Sequence, residues 1–230
     1  MNKNQKFTTL LGIMTCACAL LAASSSQAAE YQVTVNTTSL IGNVNAPYYV
    51  DFQLNSGGGP FSNMATVNNF NFGGGSPSPV GSAMVYVGNP TGDLSTGFTL
   101  VDVPGATSTS AFNEISQQFT PGSTLSFDVT LTDNGGAQVP DEFEFAIDDS
   151  STYQIPTTSP DGISLAVIDI NRAFSNPAIS TAVYSPTDPQ YAGMTISVTP
   201  VPEPSSLGLF GLGLGAIALY GAGKRVKKAA

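Results

Sequence analysis

The sequence predicts an all-β fold: a two-sheet antiparallel sandwich, jelly-roll-like, flanked by an N-terminal signal peptide and a C-terminal transmembrane helix. Three observations predict it. Apolar and polar residues alternate with period two over several short runs, as on half-buried antiparallel strands. Those runs are rich in Val, Thr, Phe and Tyr, and Gly, Pro and Asn separate them at close intervals. Within the domain the best helical candidate is residues 110–119.

The chain opens with a charged n-region, Lys3 and Lys6, then an apolar run over residues 10–23. Ser26-Gln27-Ala28 puts small residues at −3 and −1 of a cleavage site. Residues 1–28 therefore read as a signal peptide cut after Ala28. Cys16 and Cys18 lie inside the apolar run without a good lipobox, and they are the only cysteines. The mature chain then has no disulfide and no thiolate metal site. That is unusual for a small eukaryotic secreted domain and fits a bacterial exported one.

Residues 29–199 are long enough for one domain with its own core. Val50, Phe52 and Leu54 alternate with Asp51 and Gln53. Leu125, Phe127, Val129 and Leu131 alternate with Ser126, Asp128, Thr130 and Thr132. Phe143, Phe145 and Ile147 alternate with Glu144, Ala146 and Asp148; Met194, Ile196 and Val198 alternate with Thr195 and Ser197. Turns are marked by Gly57-Gly58-Gly59, Gly73-Gly74-Gly75, Pro121-Gly122, Asn134-Gly135-Gly136 and Ser159-Pro160-Asp161-Gly162. About ten strands follow, with Asp133-Asn134-Gly135 as a hairpin turn.

The tail has three parts in order. Residues 200–206 form a Pro-rich linker holding the triplet Pro202-Glu203-Pro204. Residues 207–223 are uncharged and rich in glycine. As a helix they span roughly 25 Å, a little short of a hydrocarbon core of about 30 Å. Residues 224–230 bring the basic stop Lys224-Arg225, with Lys227 and Lys228 behind it. The positive-inside rule places that cluster in the cytoplasm and residues 29–206 outside, in agreement with the signal peptide.

Triplet, short span and basic stop together resemble the PEP-CTERM sorting signal of Gram-negative and cyanobacterial exported proteins. The resemblance implies a membrane partner, the intramembrane cysteine transpeptidase exosortase, which acts near Pro202, Glu203 and Pro204. It implies an inner-membrane-anchored precursor and a product delivered to the cell surface or extracellular matrix. Prolines suit such a site because they keep the segment extended and free of helix. The opening of the domain, Tyr31-Gln32-Val33-Thr34-Val35-Asn36-Thr37 with Leu40 and Gly42, then Tyr49-Val50-Asp51-Phe52-Gln53-Leu54-Asn55 and Ala65-Thr66-Val67-Asn68-Asn69-Phe70, resembles a PEP-CTERM group of unassigned function.

Charge narrows the function further. Fifteen of the sixteen acids lie between Glu30 and Asp188, where Arg172 is the single basic residue. Such a surface repels nucleic acid, and no basic patch offsets it. The chain has no histidine, and the domain no lysine or cysteine, so triads, dyads and zinc sites are excluded and the expected role is not enzymatic. The role expected is a structural or adhesive component of the surface or matrix. The alternative is a module binding carbohydrate or Ca²⁺ in the extracellular polysaccharide. For Ca²⁺, a hard cation that prefers oxygen ligands, the candidates are Asp141, Glu142, Glu144, Asp148 and Asp149. On a strand, Glu142, Glu144 and Asp148 share one face, as they would on a solvated acidic face beside Phe143, Phe145 and Ile147. No metal or other cofactor is otherwise required. For sugar, Tyr48, Tyr49, Tyr86, Tyr153, Tyr184 and Tyr191 are the available platforms in a chain without tryptophan. Arg172 reads as an ion-pair partner for an acid such as Asp169, or as an anion or sugar contact.

Overall fold

A computed structural model describes residues 27–60, 62–79, 84–88, 90–102, 112–134, 139–149, 153–170 and 179–202. Thirteen strands are described. They are β1 (Gln27–Asn36), β2 (Tyr48–Asn55), β3 (Met64–Asn71), β4 (Ser76–Pro77), β5 (Met84–Val87), β6 (Thr91–Asp93) and β7 (Gly97–Val101). Then come β8 (Phe112–Thr120), β9 (Thr124–Asp133), β10 (Asp141–Asp148), β11 (Ala166–Ile170), β12 (Ile179–Val183) and β13 (Ile196–Pro200). Two single-turn 3-10 segments, Thr38–Leu40 and Pro189–Tyr191, complete the described elements. No helix among the described residues is long and apolar enough to cross a membrane. The expected signal peptide (up to residue 26), span and basic stop lie outside the described residues.

Sheet A has the order β13-β1-β9-β3-β7-β6 and sheet B the order β12-β11-β10-β2-β8-β4, with β5 also on β8. Every pairing is antiparallel. Successive strands lie in different sheets at β1–β2, β2–β3, β3–β4, β5–β6, β7–β8, β8–β9, β9–β10 and β12–β13.

Period two explains which face each strand buries. Tyr48, Val50, Phe52 and Leu54 of β2 point inward beside Phe143, Phe145 and Ile147 of β10. They meet Val33, Val35, Leu125, Phe127, Val129 and Leu131 of sheet A in one apolar cluster. Phe52 sits at the centre, with ring centroids 5.1 Å from Phe127, 5.1 Å from Phe145 and 4.9 Å from Phe98. The contact with Phe127 is edge-to-face and joins the two sheets.

Two expectations are corrected. The segment read as a helix, residues 110–119, is strand β8 from residue 112 onward. Ile115 and Phe119 are four apart, which imitates a helical face, but on β8 they share the inward face with Asn113 and Gln117. Gln117 is buried there because its amide is used: Oε1 accepts from Leu94 N at 2.9 Å and Nε2 donates to Ser78 O at 2.8 Å. The Asp133-Asn134-Gly135 hairpin is the second. β9 and β10 lie in different sheets, so this connection crosses the sandwich rather than closing a hairpin. Asn134 is instead tied to the β2–β3 loop, its N–H donating to Asn63 Oδ1 at 2.8 Å and its Nδ2 to Ser62 O at 2.6 Å.

Candidate functional site

The five acids proposed for Ca²⁺ do not converge. Asp141 lies on the inward face of β10, opposite Ile170, and accepts from Gly57 N at 2.7 Å and Asn63 Nδ2 at 2.6 Å. It is a structural anchor. Glu142, Glu144 and Asp148 do share the outward face, as their spacing predicts. Four residues separate Glu144 from Asp148, about 13 Å of strand, too far for one ion with ligands at roughly 2.3–2.6 Å. Asp149 lies past the end of β10. Among the described residues no three acidic side chains form a cage for a metal ion.

The outward face of sheet B instead carries two acidic groups. One is Asp51 of β2, Glu114 of β8 and Asp148 of β10. Asp51 is buried although it points outward, and Gln53 Nε2 donates to its Oδ2 at 2.7 Å. Burial pushes the Asp51 carboxyl up to about 8, with Glu114 and Asp148 adding to the rise. Burial also pushes Asp148 to about 7, helped by Glu114 and Asp149.

The second group lines a groove. Glu142, Glu144, Asp161 and Asp169 surround it, with Pro160, Val167, Ala182 and Tyr184 as the apolar part, in a volume of about 220 Å³. Glu142 of β10 and Asp169 of β11 are direct cross-strand neighbours, an arrangement unfavourable for like charges. Burial first, then Asp169 and Glu144, raises Glu142 to about 7. Burial also raises Glu144, two residues along the same face. Glu144 also receives Asn55 Nδ2 at 3.1 Å and lies 3.1 Å from Ser164 Oγ. Ser164 Oγ is also 2.5 Å from Asp161 Oδ2, and its single proton serves one carboxylate at a time. Burial works against ionised Asp161, but Ser159, Ser164 and the backbone N–H groups of Ile163 and Ser164 outweigh it and hold Asp161 below its ordinary value. Asp161, lowered, therefore faces two carboxyls that burial raises. The groove joins a hydrogen-bond donor, several acceptors and one aromatic wall.

The tyrosines divide by role. Tyr48 and Tyr191 are core residues, edge-on at 6.4 Å, and Tyr191 OH receives Asn45 Nδ2 at 2.8 Å. Tyr49 is half-buried on the outward face of β2. Tyr86 is exposed on β5 and donates to Gly92 O at 2.8 Å, and Tyr153 is exposed in a loop. Tyr184 alone among the six lines the groove. Sequence reasoning missed Asp161, Ser164, Asp51 and Glu114 as members of these groups. Ser159-Pro160-Asp161-Gly162 reads only as a turn, and nothing local marks it as packing over β10. Arg172 lies outside the described residues.

At the sorting end, Pro200 closes β13, Val201 N donates to Glu30 O at 2.8 Å, and Pro202 is exposed. Glu203, Pro204, Lys224 and Arg225 lie outside the described residues. Ala28, the expected cleavage position, is an exposed residue of β1 paired opposite Thr132. No curated protein matches the chain, and no solved structure matches it. Residues 200–225 match the PEP-CTERM protein-sorting motif. The motif marks an exported protein whose membrane-anchored precursor is processed by exosortase for the cell surface.

Proposed function

We propose that this PEP-CTERM sorting-signal protein is a non-enzymatic, structural or adhesive component of the cell surface or extracellular matrix. One observation carries the reading. The hydrogen-bonded domain runs to Val201 and the sorting triplet starts at the next residue, so the chain is a folded sandwich joined directly to its address. The absence of His, Cys and Lys between residues 29 and 199 supports display over catalysis.

The test is the intact mass of the protein from its native host, fraction by fraction. We expect a chain that starts at Ala29, ends within residues 202–206 and lies outside the inner membrane. A chain still ending at Ala230 in the inner membrane would overturn the reading.

The groove favours a second reading, a carbohydrate-binding module of the polysaccharide matrix. Tyr184 offers a ring face, and Glu142, Glu144, Asp161 and Asp169 offer both protonated and ionised carboxyls to sugar hydroxyls. An open groove of this size suits a stretch of a longer chain. In a pull-down on the host's polysaccharide, Tyr184→Ala and Glu142→Gln should each reduce retention by roughly tenfold, one or two lost contacts' worth. Retention that depends on Ca²⁺ and disappears with chelator would point to cation bridging instead. Equal retention of wild type and both variants would remove the groove from the account.

A further inference from the structure

A second cleft opens at the edge of the sandwich, and a bulge in β3 builds it. β3 follows β9 in register as far as Asn68↔Asp128, and the next pair is Asn71↔Ser126. Three steps on β3 thus face two on β9, so β3 carries one extra residue. Asn69 takes up the insertion at φ 55, in the left-handed region that asparagine enters more readily than most side chains. The insertion changes the parity of the strand. Ala65 and Val67 face the core before it, and Phe70 and Phe72 face it afterwards. An unbroken strand would carry Phe70 to the outer face of sheet A, with Thr66 and Asn68.

Phe70 packs on Phe127 and Phe98, with ring centroids 5.6 and 6.0 Å away. Phe72 stacks on Phe70 at 5.9 Å with 16° between the planes, and meets Phe119 of sheet B at 6.3 Å. Both rings stay half-buried and line the cleft, which has a volume of about 470 Å³. Pro77 of β4 and Leu94 complete its apolar wall, while Asn68, Asn69, Ser95 and Thr96 form its polar part. No charged residue lines it, in a domain with fifteen acids. Two acids outside the lining fix its polar part. Asp93 Oδ1 accepts from Ser95 N at 2.6 Å and from Thr96 N at 3.1 Å, and Asp128 Oδ2 accepts from Asn69 Nδ2 at 2.9 Å. These groups are therefore held in place before a ligand arrives. Asn68 Oδ1 is buried and receives no hydrogen bond among the described residues.

Stacked rings beside uncharged amides and hydroxyls suit a neutral sugar ring. Its C–H face packs on an aromatic ring, and its hydroxyls both donate and accept. A uronate or phosphate would enter with no cation to meet it. An alkyl chain would bury the polar part without partners. We propose that the cleft at the β3 bulge is a binding site for a neutral sugar unit of a polysaccharide, separate from the Tyr184 groove. That groove lies on the outer face of sheet B and carries four acids. The cleft goes beyond the reading of the groove and does not rest on it.

The test uses the protein purified from its host, labelled with ¹⁵N, and titrated with cellohexaose, maltohexaose and mannohexaose. Hexagalacturonate is the charged control. At least one neutral hexaose should shift the amides of Asn69, Phe70, Thr96 and Gly97 saturably, with a Kd of ~1 mM. Hexagalacturonate should not. Thr96 is exposed, so Thr96→Arg should keep the wild-type Tm while crowding the cleft and weakening binding at least ~10-fold. Phe72→Leu keeps an apolar contact with the core but removes a ring face, and should also weaken binding ~10-fold. Should Phe72→Leu fail to fold, Thr96→Arg decides. Tyr184→Ala should leave these shifts as they are. The absence of saturable shifts at these amides with all three neutral hexaoses at ~20 mM overturns the proposal. Tighter binding of hexagalacturonate overturns it too, as does wild-type binding by Thr96→Arg. Shifts confined to Val167 and Tyr184, and lost in Tyr184→Ala, would overturn the cleft and leave the groove standing.

Discussion

Thermal unfolding of the processed protein will show stability falling as pH rises from about 4.5 to 8.5. Asp51 is pushed up to about 8, and Asp148 and Glu142 to about 7, in each case chiefly by burial. In the unfolded chain the same carboxyls titrate near 4. Between those limits the native state holds protons that the unfolded chain has released. Stability then declines with pH, and the decline ends once pH passes the native values. The sign is the reverse of the common carboxylate case, in which partners hold the ionised form. Asp161 and Asp93 follow that common pattern, because hydroxyl and backbone donors lower both. Their contribution is present above the ordinary carboxylate range and is lost as pH falls through their lowered values. The optimum should therefore lie near pH 4–5. Glu142 is only half-buried, so solvent screening trims its share. We expect about 3 kcal/mol of loss overall, or roughly 10 °C in Tm for a domain of this size. Asp51→Asn tests the assignment. The amide keeps the shape and removes the charge that Glu114 and Asp148 repel. It should raise stability by about 1–3 kcal/mol at pH 8, leave pH 4.5 nearly unchanged and flatten the curve. A Tm that is level or rises between pH 5 and pH 8 would refute this account.

What the sequence disclosed follows from where each signal resides. β2, β9 and β10 were legible because apolar residues fill the inward positions along the middle of each strand and mostly polar ones the outward positions, so period two survives in the text. The sorting signal was legible because triplet, span and stop are contiguous. β8 was not, because Asn113 and Gln117 occupy inward positions and the bonds of Gln117 go to the distant residues Ser78 and Leu94. The crossing from β9 to β10 was hidden because Asn-Gly fits a hairpin as well as a longer connection; which one forms is decided by Asn63, some seventy residues earlier. The groove was hidden for the same reason. β10 supplies Glu142 and Glu144, and the loop before β11 supplies Asp161. β11 supplies Asp169, and Tyr184 follows β12. A sheet gathers such residues by register, which a single strand's text does not contain.

Asp141→Ala will be the most damaging of the single acidic substitutions on β10, although Glu142 is its immediate neighbour. Asp141 points into the edge of the core and is buried. Its two oxygens take Gly57 N and Asn63 Nδ2, and Asn63 Oδ1 in turn takes Asn134 N. One carboxylate thus fixes the loop after β2, the end of β9 and the start of β10. Gly57 can approach only because it lacks a side chain, since a Cβ there would stand 2.0 Å from Val139 O. Alanine at 141 removes two charge-assisted bonds and takes the acceptor from Asn63 Nδ2, which is buried, and from Gly57 N, which is half-buried. We expect a loss of about 3–4 kcal/mol, read as a lower urea midpoint at unchanged slope. Asp141→Asn keeps one acceptor but turns an amino group toward a donor, so it should cost about 2 kcal/mol. Glu142→Ala should behave oppositely. It relieves repulsion with Asp169 and Glu144, and at pH 8 it should be neutral or slightly stabilising. Two adjacent acids would then differ by several kcal/mol in effect, because a one-residue step along a strand exchanges the inside of the sandwich for the outside. Equal losses at both positions would mean that they act as one unit, and the division between anchor and groove would have to be abandoned.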